Sequence, residues 1–298
     1  MSTFVSIVLD GLVYSAWLFI ISIGLTLIYG VMKILNIAHG SLYAIGAYAA
    51  ASAVGVYFAH DLPPLGSYVL LVVAAVVVGT ISGYVIERGI LRLMYGRDEV
   101  LMVLVTYAVF LILEDMVKVI WGVSPYFASQ PYGLLGTVDV FDLTYAVYDL
   151  AVIGLAVVVG AAVWWGLNFT RVGKLLTAVI YDREMSEAMG INVTAIFTAT
   201  FVLGAVLGAL GGAFTAPKIS VVPGMGVEVI VLAFAVVVIG GMGSIGGAMI
   251  GALIVGLARA AAVHLLPEVE LFAIYGVMAL VLAVRPHGLF ARPAARKI

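Results

Sequence analysis

Glu114 and Asp115 lie in LILEDMVKVIWG, an apolar setting in which ionisable side chains normally mark ion or proton pathways. Lys118 follows Glu114 at a spacing of four, which on a helix also allows a plain ion pair. NIAHGS (36–41) sets a second polar group between two apolar runs. Its members either hydrogen-bond neighbouring helices together or line a path for a solute; Asn36, His39 and Gly40 are the candidates for the path. A third group, GMGSIG (241–246), has the GxGxxG spacing of dinucleotide-binding turns. That fingerprint requires a strand–turn–helix unit with an acid about 20 positions on, whereas both flanks here are long apolar runs. The glycines fit a helix break that lines a cavity, which adds Gly241 and Gly243 to the path candidates.

Other chemistries lack their residues. GxxxxGK[ST] is absent: the nearest string, 166–175, has the wrong spacing before Gly173-Lys174, and Leu175 replaces the hydroxyl. His39, His60, His264 and His287 form no HExxH pair, and no GxSxG serine motif occurs. With no Cys there is no thiol nucleophile, thiolate metal site or disulfide. A net charge of -2 gives no basic footprint for nucleic acid. Glu228 stands at the mouth of a helix, and the middles of the other apolar runs carry no acid. A proton- or sodium-coupled carrier would have few groups with which to couple, so the energy is expected to come from outside this chain.

The elements that position these groups follow from composition. Of 298 residues, 64% are hydrophobic and 10% charged, against about 25% charged in soluble domains. The fold class is therefore all-α, a polytopic helical bundle in a membrane. Apolar runs at 12–32, 42–58, 65–86, 100–121, 150–167, 195–214, 227–262 and 271–284 give eight or nine spans. Run 227–262 is too long for one span and is broken around 240–244, giving two short helices that either cross or form a partly re-entrant hairpin. Nine spans require the N-terminus outside. No Lys or Arg precedes the first run, so it lacks a signal-peptide n-region and is expected to be retained. Segments 87–99 and 122–149 read as loops, the latter holding Pro125, Pro131, Asp139 and Asp142.

Placing the C-terminus in the cytoplasm puts Lys33, Arg88, Arg92, Arg97, Arg171, Lys174, Arg183, Arg285, Arg292, Arg296 and Lys297 on the inner side. Lys118 and Lys218 fall outside, and Arg259 sits within a span. Gly204, Gly208 and Gly212, and again Gly243, Gly247 and Gly251, form small-residue stripes. Such stripes are packing seams, within this chain or against another membrane subunit. The sizeable polar island 171–194 lies between two spans. Within it Asp182 can cap a short helix over 183–189 that Gly190 ends in a left-handed conformation. Such a helix, pressed on one membrane face, is either an ordinary interfacial loop or a part that receives push from a soluble partner.

GLTLIYGVMKILNIAHGSLYAIGAY (24–48), DREMSEAMGIN (182–192) and VVVIGGMGSIGGAMIGAL (236–253) together resemble the signature regions of permease subunits of branched-chain amino acid ABC importers. That family also serves urea, short amides and aromatic acids. The resemblance spans nearly the whole chain and implies a single transmembrane permease domain, 1–298, in a bacterial or archaeal inner membrane. It implies as partners a second homologous permease, two cytoplasmic ATPase subunits, a periplasmic binding protein and membrane lipid, with no nucleic acid. It implies no cofactor in this chain, ATP and magnesium being bound by the ATPase subunits, and hence no enzyme activity of its own. Loop 171–192 becomes the coupling loop, with Arg183, Glu184, Glu187, Met189 and Gly190 as its ATPase-coupling residues. Met185 and Ser186 stand where the family usually has Ala-Ala, and the 114–115 acid pair replaces an expected amide, leaving the substrate open. The alternative is a stand-alone channel or secondary carrier using Glu114, Asp115 and His39.

Overall fold

The computed structural model of the chain describes residues 2–141 and 143–290; Asp142, Arg292, Arg296 and Lys297 lie outside them. The helices are α1 (Ser2–Met32), α2 (His39–Ala59), α3 (Gly66–Ile86), α4 (Glu99–Trp121), α5 (Val147–Phe169), α6 (Arg171–Tyr181), α7 (Arg183–Ala188), α8 (Val193–Thr215), α9 (Met225–Gly240), α10 (Ile245–Leu265) and α11 (Glu270–Val284). Seven helices are long and apolar enough to cross a membrane; Met225–Gly240 and Phe272–Val284 are apolar but shorter.

Pairs of contacts give the direction of each helix. Trp17 Nε1 donates to Thr215 Oγ1 at 2.6 Å while Gly24 packs on Gly204, so α1 and α8 are antiparallel. Ser15 meets Gly256 and Gly30 meets Gly243, so α10 also opposes α1. One end of the bundle collects Asp10 with His264, Asp149 with Lys218, and the Tyr126–Val221 bridge. The other collects residues 31–34, 94–99 and Arg183 around one cavity, and the 241–244 break beside Gly288. Among the described residues nine helices therefore alternate between two ends, and the first and last of them begin and finish at opposite ends.

Of the seven long helices, α8 and α2 are the most enclosed. Lipid gives no hydrophobic drive for helix association, so close backbone approach supplies it. Gly204, Gly208 and Gly212 meet Ile28, the His39 ring and Tyr43 O; Gly247 and Gly251 meet Gly240 O and Val236 O. The stripes are thus seams within this chain.

Three expectations need correction. The 87–99 segment is not a loop, because helix continues through a π-helical stretch, Glu87–Leu91, to Met94. Its charges are absorbed locally: buried Glu87 accepts from the Tyr95 hydroxyl at 2.5 Å, and Arg88 lies over the Tyr84 ring. Burial and that acceptor push the Tyr95 hydroxyl above its ordinary range. The Glu114–Lys118 pair does not form; Lys118 takes Asp115 at 2.9 Å. Asp149, expected in the 122–149 link, lies in the first turn of α5, and the link itself holds a hairpin of β1 (Thr137–Val140) and β2 (Leu143–Ala146).

Candidate functional site

The polar island is two helices. Thr170 caps α6 through the Gly173 N–H, and Gly173, Leu176 and Val179 face inward at a spacing of three. Asp182 then accepts from the Met185 N–H at 2.9 Å, starting α7, and Gly190 follows at φ 83°, where an L side chain is disfavoured. The Asn192 side chain accepts from Ala195 N and begins α8 at Val193, one residue before Thr194. Arg183 pairs with Glu187 at 3.2 Å and its guanidinium lies 5.4 Å from the Phe197 ring centre, which ties α7 back onto α8. Ser186 is buried, with its hydroxyl donating to Asp182 O. Glu184, Met185 and Met189 project outward, the two thioethers four residues apart and 60% and 76% exposed. A short, doubly capped helix thus presents an acid and two adaptable apolar side chains at the bundle end.

Asn36, His39 and Gly40 sit far from that surface. After Met32 the chain turns back through 33–38 into the bundle, and α2 begins inside it. His39 Nε2 donates to Ile21 O at 3.0 Å. The stretch from Ile21 to Met32 is about 16 Å of helix, so α2 starts that deep from the end of α1. Asn36 and His39 are fully enclosed. Thr106 Oγ1 on α4 donates to Leu35 O, and Ser41 Oγ donates to Phe110 O. The start of α2 lies against that of α9, with Gly40 on the Gly226 carbonyl. Glu114 Oε2 accepts from the Gly224 N–H at 3.0 Å, capping α9 from a different helix. Two helix N-termini therefore meet inside the bundle with one carboxylate beside them, the arrangement expected where half-helices bound a solute path.

Gly241 and Gly243 form the other candidate pair. Both have positive φ, 99° and 84°, which lets the chain reverse in four residues between α9 and α10. Gly243 packs on Gly30, while Leu289 N and Phe290 N donate to Ile239 O and Gly240 O, closing the end of α9. The structure does not bring this break together with His39: Ile21 and Gly30 mark their levels on α1, about 14 Å apart. Sequence reading missed the cap from Glu114 and a charged cavity at the opposite end; α4 carried a usable signal, because Glu114 shares its inward face with Phe110, Leu113 and Val117.

A family model described as "Branched-chain amino acid transport system / permease component" matches residues 7–282. The high-affinity branched-chain amino acid transport system permease protein BraD of Pseudomonas aeruginosa is 29% identical, covering 97% of this chain and 96% of that one. LivH of Escherichia coli, a high-affinity permease protein of the same kind of system, is 27% identical over 97% of this chain and 96% of its own. The probable permease LivH of Methanocaldococcus jannaschii is 27% identical over 95% and 91%.

Proposed function

Because the chain belongs to the family of permease components of branched-chain amino acid transport systems, we propose that it forms half of the membrane path of an ATP-driven importer for such amino acids or a related small solute. The family match across nearly the whole chain carries this reading. In it, a second homologous permease supplies the other half, two ATPase subunits dock from the cytoplasm with ATP and magnesium, and a periplasmic protein delivers the solute. The C-terminal end of the bundle faces the cytoplasm, as the basic-residue bias requires. Helix α7 is the coupling element: Glu184 and Met189 face the ATPase, while Arg183 and Glu187 stiffen the helix and Gly190 ends it. The starts of α2 and α9, with Asn36, His39 and Gly40, border the path, and the Gly241–Gly243 break is its inner bend. A stand-alone carrier is not favoured, because Glu114 is engaged with Gly224 and Asp115 with Lys118.

The test is reconstitution of the assembled importer with a Glu184→Lys, Gly190→Leu double variant. Gly190→Leu forces a β-carbon into a left-handed conformation at about 1–2 kcal/mol, and Glu184→Lys reverses an exposed charge. The variant should insert normally, yet lose stimulation of ATP hydrolysis by loaded binding protein and most solute uptake. Normal stimulation and uptake would remove α7 from the mechanism. Uptake by this chain alone, driven by an ion gradient, would overturn the importer itself.

A further inference from the structure

We propose that buried Glu87 is a second docking position for Arg183, so that α7 alternates between an outer Arg183–Glu187 pair and an inner Arg183–Glu87 pair. The proposal rests on the reading of α7 as the coupling element and names the residue through which its movement reaches the membrane helices. Glu87 is fully buried. Tyr95 satisfies one of its oxygens at 2.5 Å, while the other, Oε2, has no hydrogen-bond partner among the described residues. A buried carboxylate with an unmatched oxygen is unfavourable, and a cation able to reach it relieves that penalty.

Helix α3 explains how the carboxylate comes to lie there. Ser67, Leu71, Ala75, Gly79 and Gly83 are its inward stripe at a spacing of four, and Glu87 is the next position, where the π-helical stretch opens. Such stretches recur at functional sites. Gly79 packs on Val206 and Gly83 on Val202, so α3 runs antiparallel along α8. That register carries Glu87 to the level of Thr198, one residue from Phe197. The Phe197 ring holds the Arg183 guanidinium at 5.4 Å and meets the Tyr95 ring edge-on at 5.1 Å. Glu87, Tyr95, Phe197 and Arg183 thus form one contiguous row. Tyr95, Phe197 and Arg183 also line a cavity of about 330 Å³, which gives the Arg183 side chain room to turn inward. Burial raises the Tyr95 hydroxyl, and the charges of Arg92 and Arg183 already oppose that rise. Lys33 and Arg97 line the same cavity, but Lys33 lies over Tyr29, and Arg183 is the cation on Phe197 beside Glu87. The outer pair holds Arg183 weakly: both partners are about half exposed, and water screens such a pair. Pairing with Glu187 is the resting position, and pairing with Glu87 the one reached when binding protein stimulates hydrolysis.

The test is stimulation of ATP hydrolysis by loaded binding protein in the reconstituted importer, with assembly checked by co-purification. Glu87→Gln keeps an acceptor for Tyr95 but removes the charge, and Arg183→Gln removes the cation. Each should lower stimulation at least fivefold, and the double variant should fall no further than either. Glu187→Gln releases Arg183 from its outer partner and should raise unstimulated hydrolysis at least twofold, an increase that Glu87→Gln abolishes. Tyr95→Phe should lower stimulation less than twofold. If Glu87 served only to hold Tyr95, the Tyr95→Phe loss would equal that of Glu87→Gln, and that result overturns the proposal. Full stimulation in Glu87→Gln overturns it too, as do losses that multiply in the double variant or an unchanged unstimulated rate in Glu187→Gln. Should Glu87→Gln fail to assemble, Glu87→Met with Tyr95→Phe, which removes both hydrogen-bond partners together, is read in its place. The Glu184→Lys, Gly190→Leu importer run in parallel separates the two readings. Its loss of stimulation beside full stimulation in Glu87→Gln removes the exchange and leaves α7 as the coupling element.

Discussion

Glu114 reaches across from α4 to hold the start of α9, and the identity of its acceptor oxygen decides what the residue does. Removing it leaves the Gly224 N–H unmatched inside the bundle, so Glu114→Ala should destabilise the chain by about 1.5–3 kcal/mol, the range for hydrogen bonds to charged groups. Glu114→Gln keeps an oxygen and should recover most of that loss in denaturant unfolding of the detergent-solubilised protein. A proton-handling role would make Gln as damaging to transport as Ala, and that result would restore the carrier reading. The sequence located this carboxylate in an apolar helix, and the one partner it offered, Lys118, is taken by Asp115 instead. Spacing of four says that Glu114 and Lys118 can meet, but not which of two adjacent acids turns inward. The burial pattern of α4 settles it: Glu114 is buried and Asp115 exposed, free to take Lys118. Glu87 escaped notice for a related reason, since a charge at a span end reads as a boundary until a hydroxyl such as that of Tyr95 is found to satisfy it within the fold.

Short elements were legible where their ends carry their own chemistry. Asp182 and Gly190 marked α7 correctly because a capping carboxylate and a left-handed glycine act through the backbone within a few residues. Asp182→Ala should therefore cost α7 about 0.5–2 kcal/mol, read as faster amide hydrogen exchange across Arg183–Ala188 with α8 unaffected; equal exchange in both forms would show that tertiary packing, not the cap, holds the helix. The neighbouring α6 was invisible to the same reasoning. Its inward Gly173, Leu176 and Val179 alternate with Arg171, Lys174 and Thr177 over only eleven residues, so polarity masked a helical stripe. Most long apolar helices were found within a few residues at their ends, since span length is set by the bilayer, but α1 starts at Ser2, ten residues before the expected run 12–32. The starts of α2 and α9 were placed within three residues, but their burial inside the bundle was not foreseen, because partners from other helices such as Glu114 are recorded in no local pattern.

For the whole molecule, the alternation of nine helices fixes parity: the first and last helices begin and finish at opposite ends. Single thiols at Thr3 and His287, both exposed, should therefore react with an impermeant reagent from opposite faces, Thr3→Cys in intact cells and His287→Cys only after permeabilisation. Reaction of both from one face would mean an even number of crossings. The count was not readable from hydropathy because α9, at 16 residues, and α11, at 15, fall below the length of an ordinary span. Helix α9 is also fastened at both ends by distant parts of the chain, Glu114 before it and Leu289 and Phe290 after it. During synthesis the first clasp is already in the membrane when α9 leaves the ribosome, whereas the second is translated only after α10 and α11. A helix this short has little apolar length with which to fix its own depth, so its final seating in the bilayer is a late event of biogenesis, completed when the segment after α11 folds back beneath it.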